Sequence, residues 1–137
     1  MSRDRTIDTL KRLFAALNAS DRDAIAALMA GEVVFDTFEG VRHIGRDKVR
    51  WALAERANAY RETYRDLVIM TEDSGRRAAA EFTLRGFYQS QASGMPEASG
   101  QAFSVPGGAF FDMENDGRVL RVSFMLNAAE LVRQLSR

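Results

Sequence analysis

Residues 67–88 read Leu-Val-Ile-Met-Thr-Glu-Asp-Ser-Gly-Arg-Arg-Ala-Ala-Ala-Glu-Phe-Thr-Leu-Arg-Gly-Phe-Tyr. Leu67–Glu72 is a run rich in β-branched residues, and Asp73-Ser74-Gly75 is a turn signal. Arg77–Tyr88 then alternates, with Ala80, Phe82 and Leu84 on one face and Glu81, Thr83 and Arg85 on the other. Two strands about a tight turn make a hairpin, and the chain continues in the same period. Gln101–Met113 reads as a further strand, and Pro106-Gly107-Gly108 inside it predicts a bulge or sharp bend. Asn115-Asp116-Gly117 turns the chain into Arg118–Leu126, where Leu120, Val122, Phe124 and Leu126 form one apolar face. Residues 89–100 between the second and third strands are small and polar, and long for a hairpin loop. The second half is therefore a four-strand antiparallel meander.

Upstream the period is helical. Ile7, Leu10, Phe14 and Leu17, widened by Leu13, give residues 4–18 an apolar stripe. After a break at 18–21, Ser20 reads as an N-cap with Asp23 behind it. Ala24, Ile25, Leu28 and Met29 follow as a short helix ended by Gly31. Residues 32–38, Glu-Val-Val-Phe-Asp-Thr-Phe, read as a strand that Asp36 interrupts, and 39–45 as a loop. A third helix runs from Arg46 to Tyr60 or beyond, on a stripe of Val49, Leu53, Ala57, Tyr60 and Tyr64 with Trp51 beside it. At the far end Asn127 caps a last helix, with Glu130 three residues on and Leu131 and Leu135 as its apolar face. Helices gathered on one side of a curved sheet give the class α+β. The length, 137 residues without an internal repeat, implies one domain over 1–137.

Composition narrows the function. Lys+Arg and Asp+Glu are both 19, so the basic excess that a phosphate-neutralising nucleic-acid binder needs is missing. Without cysteine, the chain has no disulfide, no Cys-ligated zinc and no thiol nucleophile, which fits a cytoplasmic protein. No run approaches the ~18 apolar residues of a membrane span. Met1-Ser2-Arg3-Asp4-Arg5 leads into a charged helical pattern, unlike a signal-peptide core. The expected partner is a small hydrophobic ligand, with neither nucleic acid nor membrane.

Among candidate site residues Asp36 stands first. A carboxylate buried unpaired in an apolar strand is costly, and a dry pocket raises its pKa toward the range of a general base. Alternatively it faces solvent or pairs with an arginine such as Arg42. His43 follows as an acid/base partner or a solvated loop residue. One histidine among scattered carboxylates lacks metal-ligand spacing, so neither metal nor cofactor is expected. Trp51, Tyr60 and Tyr64 have polar tips that either donate to a ligand carbonyl or are satisfied in packing. Glu81 and Arg85 read as a solvated or dimer-facing sheet surface. Pro106-Gly107-Gly108 is no phosphate loop, since neither a helix nor a Lys follows it.

The element order, with particular stretches, resembles a known group. The stretches are residues 16–25 (Ala-Leu-Asn-Ala-Ser-Asp-Arg-Asp-Ala-Ile), Gly45-Arg46-Asp47, residues 77–83, Gly100-Gln101 with Pro106–Phe111, and the ending at residues 127–135. They are similar to the ketosteroid isomerase-related proteins, within the SnoaL-like families of the nuclear-transport-factor-2-like superfamily. The resemblance implies a cone, in which a bent sheet wraps N-terminal helices around a pocket, and a homodimer through the outer sheet face. It places Asp36 at the isomerase base position. The tyrosine donor position falls on Leu13, and the acidic donor position falls near Gly108 or Ala109. Met125-Leu126-Asn127 stands where the related group often has Tyr-Tyr-Asn. By strand parity and family position, Phe38, Phe82, Leu84, Val122, Phe124 and Leu126 line the pocket, with Trp51 and Tyr60 as further ligand contacts.

The implied function is a proton-transfer isomerase or cyclase acting on a small apolar carbonyl compound, with Asp36 as base and His43 assisting. The alternatives are a non-catalytic hydrophobic-ligand domain and an epoxide-hydrolase-like enzyme. The latter needs a second carboxylate and an arginine such as Arg85 converging with Asp36. Fold alone does not choose among them.

Overall fold

The structure, a computed structural model, describes residues 2–137, so Met1 lies outside it. Helix α1 (Arg3–Asn18) is capped by Ser2, whose side chain accepts from the Arg5 N–H. Its stripe of Leu10, Leu13 and Phe14 is buried in the core, as the spacing requires. Helix α2 (Arg22–Ala27) is capped by Asp21, which accepts from the Ala24 N–H. The expected cap, Ser20, instead sits in the left-handed turn between the helices at φ 54. Nor does α2 reach Gly31. Strand β1 (Met29–Asp36) begins first, and Met29 and Ala30 are already buried in it.

The segment expected as loop contains a short strand, β2 (Arg42–Ile44), antiparallel to β1. Helix α3 (Arg46–Ala59) follows, and Tyr60 breaks it with extended angles, φ −124 and ψ 134. Strand β3 therefore spans Tyr60–Thr71, well ahead of the expected Leu67. The misreading has a simple cause. Residues 60 and 64 are four apart, a separation that fits one helix face and one strand face equally well. Strand β4 (Arg77–Tyr88) has the expected limits and pairs with β3 from Tyr60↔Tyr88 to Thr71↔Ala78, with an irregularity between Arg65 and Val68.

Strand β5 (Gln101–Met113) pairs with β4 without a break through Thr83↔Pro106, so of the bulge or bend expected at Pro106 the bulge is absent. Ser104 turns its N–H and C=O away from β4, to the side chain of Gln134. Pro106, two residues on, shares that orientation. Strand β6 (Val119–Leu126) pairs with β5 only from Gly107↔Leu126 onward, so the missing proline N–H faces past the end of β6 and costs no ladder bond. Helix α4 (Ala128–Leu135) takes that place beside β5, capped by Asn127 as expected.

The sheet has six strands in the order β2-β1-β6-β5-β4-β3, with β1 parallel to β6 and the other neighbours antiparallel. One face packs on α1, where Phe14 meets Phe111 and Phe82 at ring distances of 6.1 and 5.8 Å. The opposite face is open. Val68, Met70, Phe110 and Met125 point outward there, each about half exposed. The α+β class stands as expected.

Candidate functional site

A cavity of about 750 Å³ lies between the inner sheet face and the helices. Phe35, Phe38, Phe82, Leu84, Phe124 and Leu126 give it apolar walls. Trp51, 62% exposed, stands on its lining from α3, and residues 89–93 reach it from the β4–β5 loop. Such a volume suits a multi-ring small molecule, and apolar walls with polar groups placed among them suit a ligand site.

One group of polar residues comes from the junction of α3 and β3, beside others at the end of α1, in the β1–β2 turn and in the β4–β5 loop. Strand alternation turns Tyr60, Glu62 and Tyr64 inward, and Arg56 reaches them from the last turn of α3. Arg56 Nε donates to Glu62 Oε2 at 2.5 Å, and Nη2 donates to Oε1 at 2.9 Å. The two side chains are only 22% and 12% exposed. The guanidinium carbon stands 4.2 Å from the Tyr60 ring centre and 5.3 Å from that of Phe38. Burial opposes the charge on Arg56, but the Glu62 carboxylate outweighs it and holds the guanidinium protonated well above its ordinary range. Sequence reasoning missed this pair. The alternation Tyr60-x-Glu62-x-Tyr64 was the available signal, hidden by its compatibility with a helix stripe.

Tyr64 is clasped from both sides. Its ring meets Phe14, Phe82 and Phe124 at 5.3, 4.9 and 5.9 Å. Its backbone, on the free edge of the sheet, exchanges two hydrogen bonds with Asn18 at the end of α1: the Tyr64 N–H donates to Oδ1 at 2.7 Å, and Nδ2 donates to the Tyr64 carbonyl at 3.0 Å. Ring and strand are thus fixed, yet the hydroxyl has no hydrogen-bond partner among the described residues. Among the described residues no buried side-chain N or O lacks a partner, so that hydroxyl opens onto the cavity. Burial pushes its pKa up, reinforced by the nearby Glu62 carboxylate, which keeps it a neutral donor. Burial likewise pushes Tyr60 up to about 12, although Arg56 pulls the other way.

His43 sits opposite Phe35 in the β1–β2 pair and turns into the cavity. Its ring stands 6.2 Å from Phe35 and 6.4 Å from Trp51. No group of three or more His, Asp or Glu side chains among the described residues could hold a metal ion.

Asp36 is elsewhere. It follows the inward Phe35, so the pleat turns it to the outer face. There it accepts from Arg42 Nε at 2.7 Å, Arg42 Nη2 at 3.1 Å and Ser123 Oγ at 2.7 Å. The hydrogen bond from Arg42 pulls its pKa below the usual carboxylate value, against a smaller opposing effect of burial. A carboxylate so paired is the opposite of a dry, raised-pKa base: of the two expectations for Asp36, the geometry gives the pairing with Arg42. The expected lining residue Val122 is corrected. It lies in the closed core, in register with Phe35 and Phe111, and does not reach the cavity. Arg85 is in register with Thr63 and Ser104 on the outer face, with β5 and β6 between its strand and that of Asp36, so no epoxide-hydrolase-like convergence forms.

Residues 10–122 match the family model described as the SnoaL-like domain. Among solved structures, a protein of Xanthomonas campestris pv. campestris provisionally designated a polyketide cyclase is 36% identical, with a TM-score of 0.95 over 99% of this chain and 100% of that one. One of Pseudomonas putida KT2440, with the same provisional designation, is 34% identical, with a TM-score of 0.92 over 98% of each chain. A nuclear-transport-factor-2-like protein of Burkholderia xenovorans LB400 shares the fold alone, at 15% identity and a TM-score of 0.78 over 98% of each chain. No curated protein matches significantly in sequence. The fold is thus the nuclear-transport-factor-2-like cone.

Proposed function

The chain belongs to the SnoaL-like family, and on that premise we propose that its cavity binds a small, largely apolar carbonyl compound and moves a proton at the carbon beside the carbonyl. The reaction is of isomerase or cyclase type, the class suggested by the designations of its two relatives at 36% and 34% identity. The observation that carries this reading is the Tyr64 hydroxyl, fixed by its neighbours and open to the cavity without a protein partner. It donates to the ligand oxygen as charge develops there, and such a preorganised donor is worth about 10²–10³ in rate. His43 takes the proton from carbon and returns it, since a neutral imidazole has one nitrogen that accepts and one that donates. Asp36 takes no part.

The test is thermal stabilisation by a panel of enolisable steroid, terpenoid and aromatic polyketide ketones, followed by deuterium exchange from solvent into each ketone that binds. Binding with exchange in wild type, and exchange reduced about 10²–10³-fold in Tyr64→Phe, is the expected result. Binding without exchange in wild type would instead make the chain a non-catalytic binding domain.

Two further features belong to the same reading. The outward Val68, Met70, Phe110 and Met125 support a homodimer through the outer sheet face. Sedimentation of Phe110→Glu as a monomer beside a dimeric wild type would establish it. No described helix is long and apolar enough to cross a membrane. The lack of cysteine supports a reducing compartment, which we take to be the cytoplasm.

A further inference from the structure

We propose that Arg56 is a specificity-determining residue, whose unused guanidinium edge receives a neutral carbonyl oxygen of the ligand and whose pairing with Glu62 excludes ligands that carry a carboxylate. This rests on the reading of the cavity as the binding site of a carbonyl compound, and it adds which compounds enter.

Arg56 has five N–H bonds in a planar fork. The Nε N–H and one of the two on Nη2 are spent on Glu62. Nη1 has no acceptor among the described residues, and because no buried side-chain nitrogen there lacks a partner, Nη1 opens onto the cavity that Arg56 lines. The plane cannot swing away, being tied by two bonds to Glu62 and set against the rings of Tyr60 and Phe38. The donor is therefore held in place before a ligand arrives. Its charge is already cancelled. Glu62 stands on the same fork, so a second carboxylate at Nη1 would meet an anion across one guanidinium and lose its hydration as well. A ketone or quinone oxygen accepts the same hydrogen bond without that repulsion. Two aromatic rings about the fork also suit a flat, conjugated ligand.

The probes are 2-acetylanthracene and anthracene-2-carboxylate, which share a ring system and differ at the oxygen-bearing group. Their dissociation constants are read by fluorescence titration. Wild type is expected to prefer the ketone by about tenfold or more. Glu62→Gln frees the charge of Arg56 and is expected to shift the ratio toward the carboxylate by about tenfold. The double variant Arg56→Gln/Glu62→Gln keeps the site neutral and is expected to lose the ketone preference without gaining carboxylate affinity. An unchanged ratio in Glu62→Gln overturns the proposal, as does failure of wild type to bind the ketone. If Glu62→Gln does not fold by circular dichroism, wild-type ketone affinity in the double variant overturns it. The readout is binding alone, so absent deuterium exchange with a shifted ratio would defeat the proposed reaction and leave this inference standing.

Discussion

Ser123 donates its hydroxyl to Asp36 Oδ2 at 2.7 Å, joining β6 to β1 on the outer face of the sheet. The same hydroxyl accepts from Arg121 Nη1 at 2.6 Å, and Arg121 Nε donates to Asp112 at 2.7 Å. Asp36 is thus a link in a polar chain that runs from Arg42 on β2 through β1 and β6 to Asp112 on β5, behind the cavity. Ser123 is 5% exposed, so deleting its hydroxyl leaves a poorly hydrated gap. Ser123→Ala should cost about 1–2 kcal/mol in urea unfolding and leave ligand affinity unchanged.

The same network sets an acid dependence. Hydrogen bonds from arginine hold Asp36 and Asp112 below their ordinary value of 3.8. Glu72, bonded to Ser74 and to backbone N–H groups, is held at about 2 against an ordinary 4.5. A carboxyl with a lowered folded pKa stabilises fully above its unfolded value, and that stabilisation is lost as pH falls through the folded one. Stability should therefore be level above pH 4.5 with respect to these groups and fall between there and about 2. Asp36→Asn and Asp112→Asn should each flatten that fall, measured as urea midpoint against pH.

Tyr64→Phe keeps the ring among Phe14, Phe82 and Phe124 and removes a hydroxyl that bonds to no protein group. Its stability should stay within about 0.5 kcal/mol of wild type. Tyr64→Ala empties the same cluster and should cost about 3–5 kcal/mol. A large loss in the phenylalanine variant, seen by thermal or urea unfolding, would reveal an internal partner for the hydroxyl.

Tyr88 is fully buried and latches the loop that reaches the cavity. Its hydroxyl donates to the Pro96 carbonyl at 2.7 Å and accepts from the Ala92 N–H at 2.9 Å. Tyr88→Phe should cost about 1–2 kcal/mol and speed amide exchange across 89–100 more than in the strands.

Gly107 lies where an added Cβ would stand 2.8 Å from a ring carbon of Phe82 and 2.9 Å from the Met125 carbonyl. Gly107→Ala should cost about 1–3 kcal/mol and displace the Phe82 wall, weakening ketone binding together with stability.

The meander was legible because its signals are local: alternation in β4, the Asp116-Gly117 turn, the Asn127 cap with Glu130. Pro106 misled as a bulge signal, since whether a proline interrupts a ladder depends on what lies beside its nitrogen, and β6 stops short of it. Asp36 left two readings open for a related reason. Val33, Val34, Phe35 and Asp36 include apolar residues of both parities, so the segment does not announce which face is inward. Its partner Ser123 is remote in sequence. His43 was named from its place just after the Asp36 strand, while its inward face follows from a pairing with Phe35 that a segment read as loop did not announce. The Arg56–Glu62 pair was missed because it exists only if the helix stops at Ala59, and a stripe compatible with both periods carried the helix past that point.

We place the proton-transfer chemistry inside the cavity at His43 and Tyr64, with Asp36 paired on the opposite face. The most direct test is the rate of deuterium exchange into a bound ketone for wild type, Asp36→Asn and His43→Ala side by side. The account predicts a wild-type rate in Asp36→Asn and a fall of about 10²–10⁴ in His43→Ala, the usual worth of a general base. Exchange abolished in Asp36→Asn and retained in His43→Ala would contradict it.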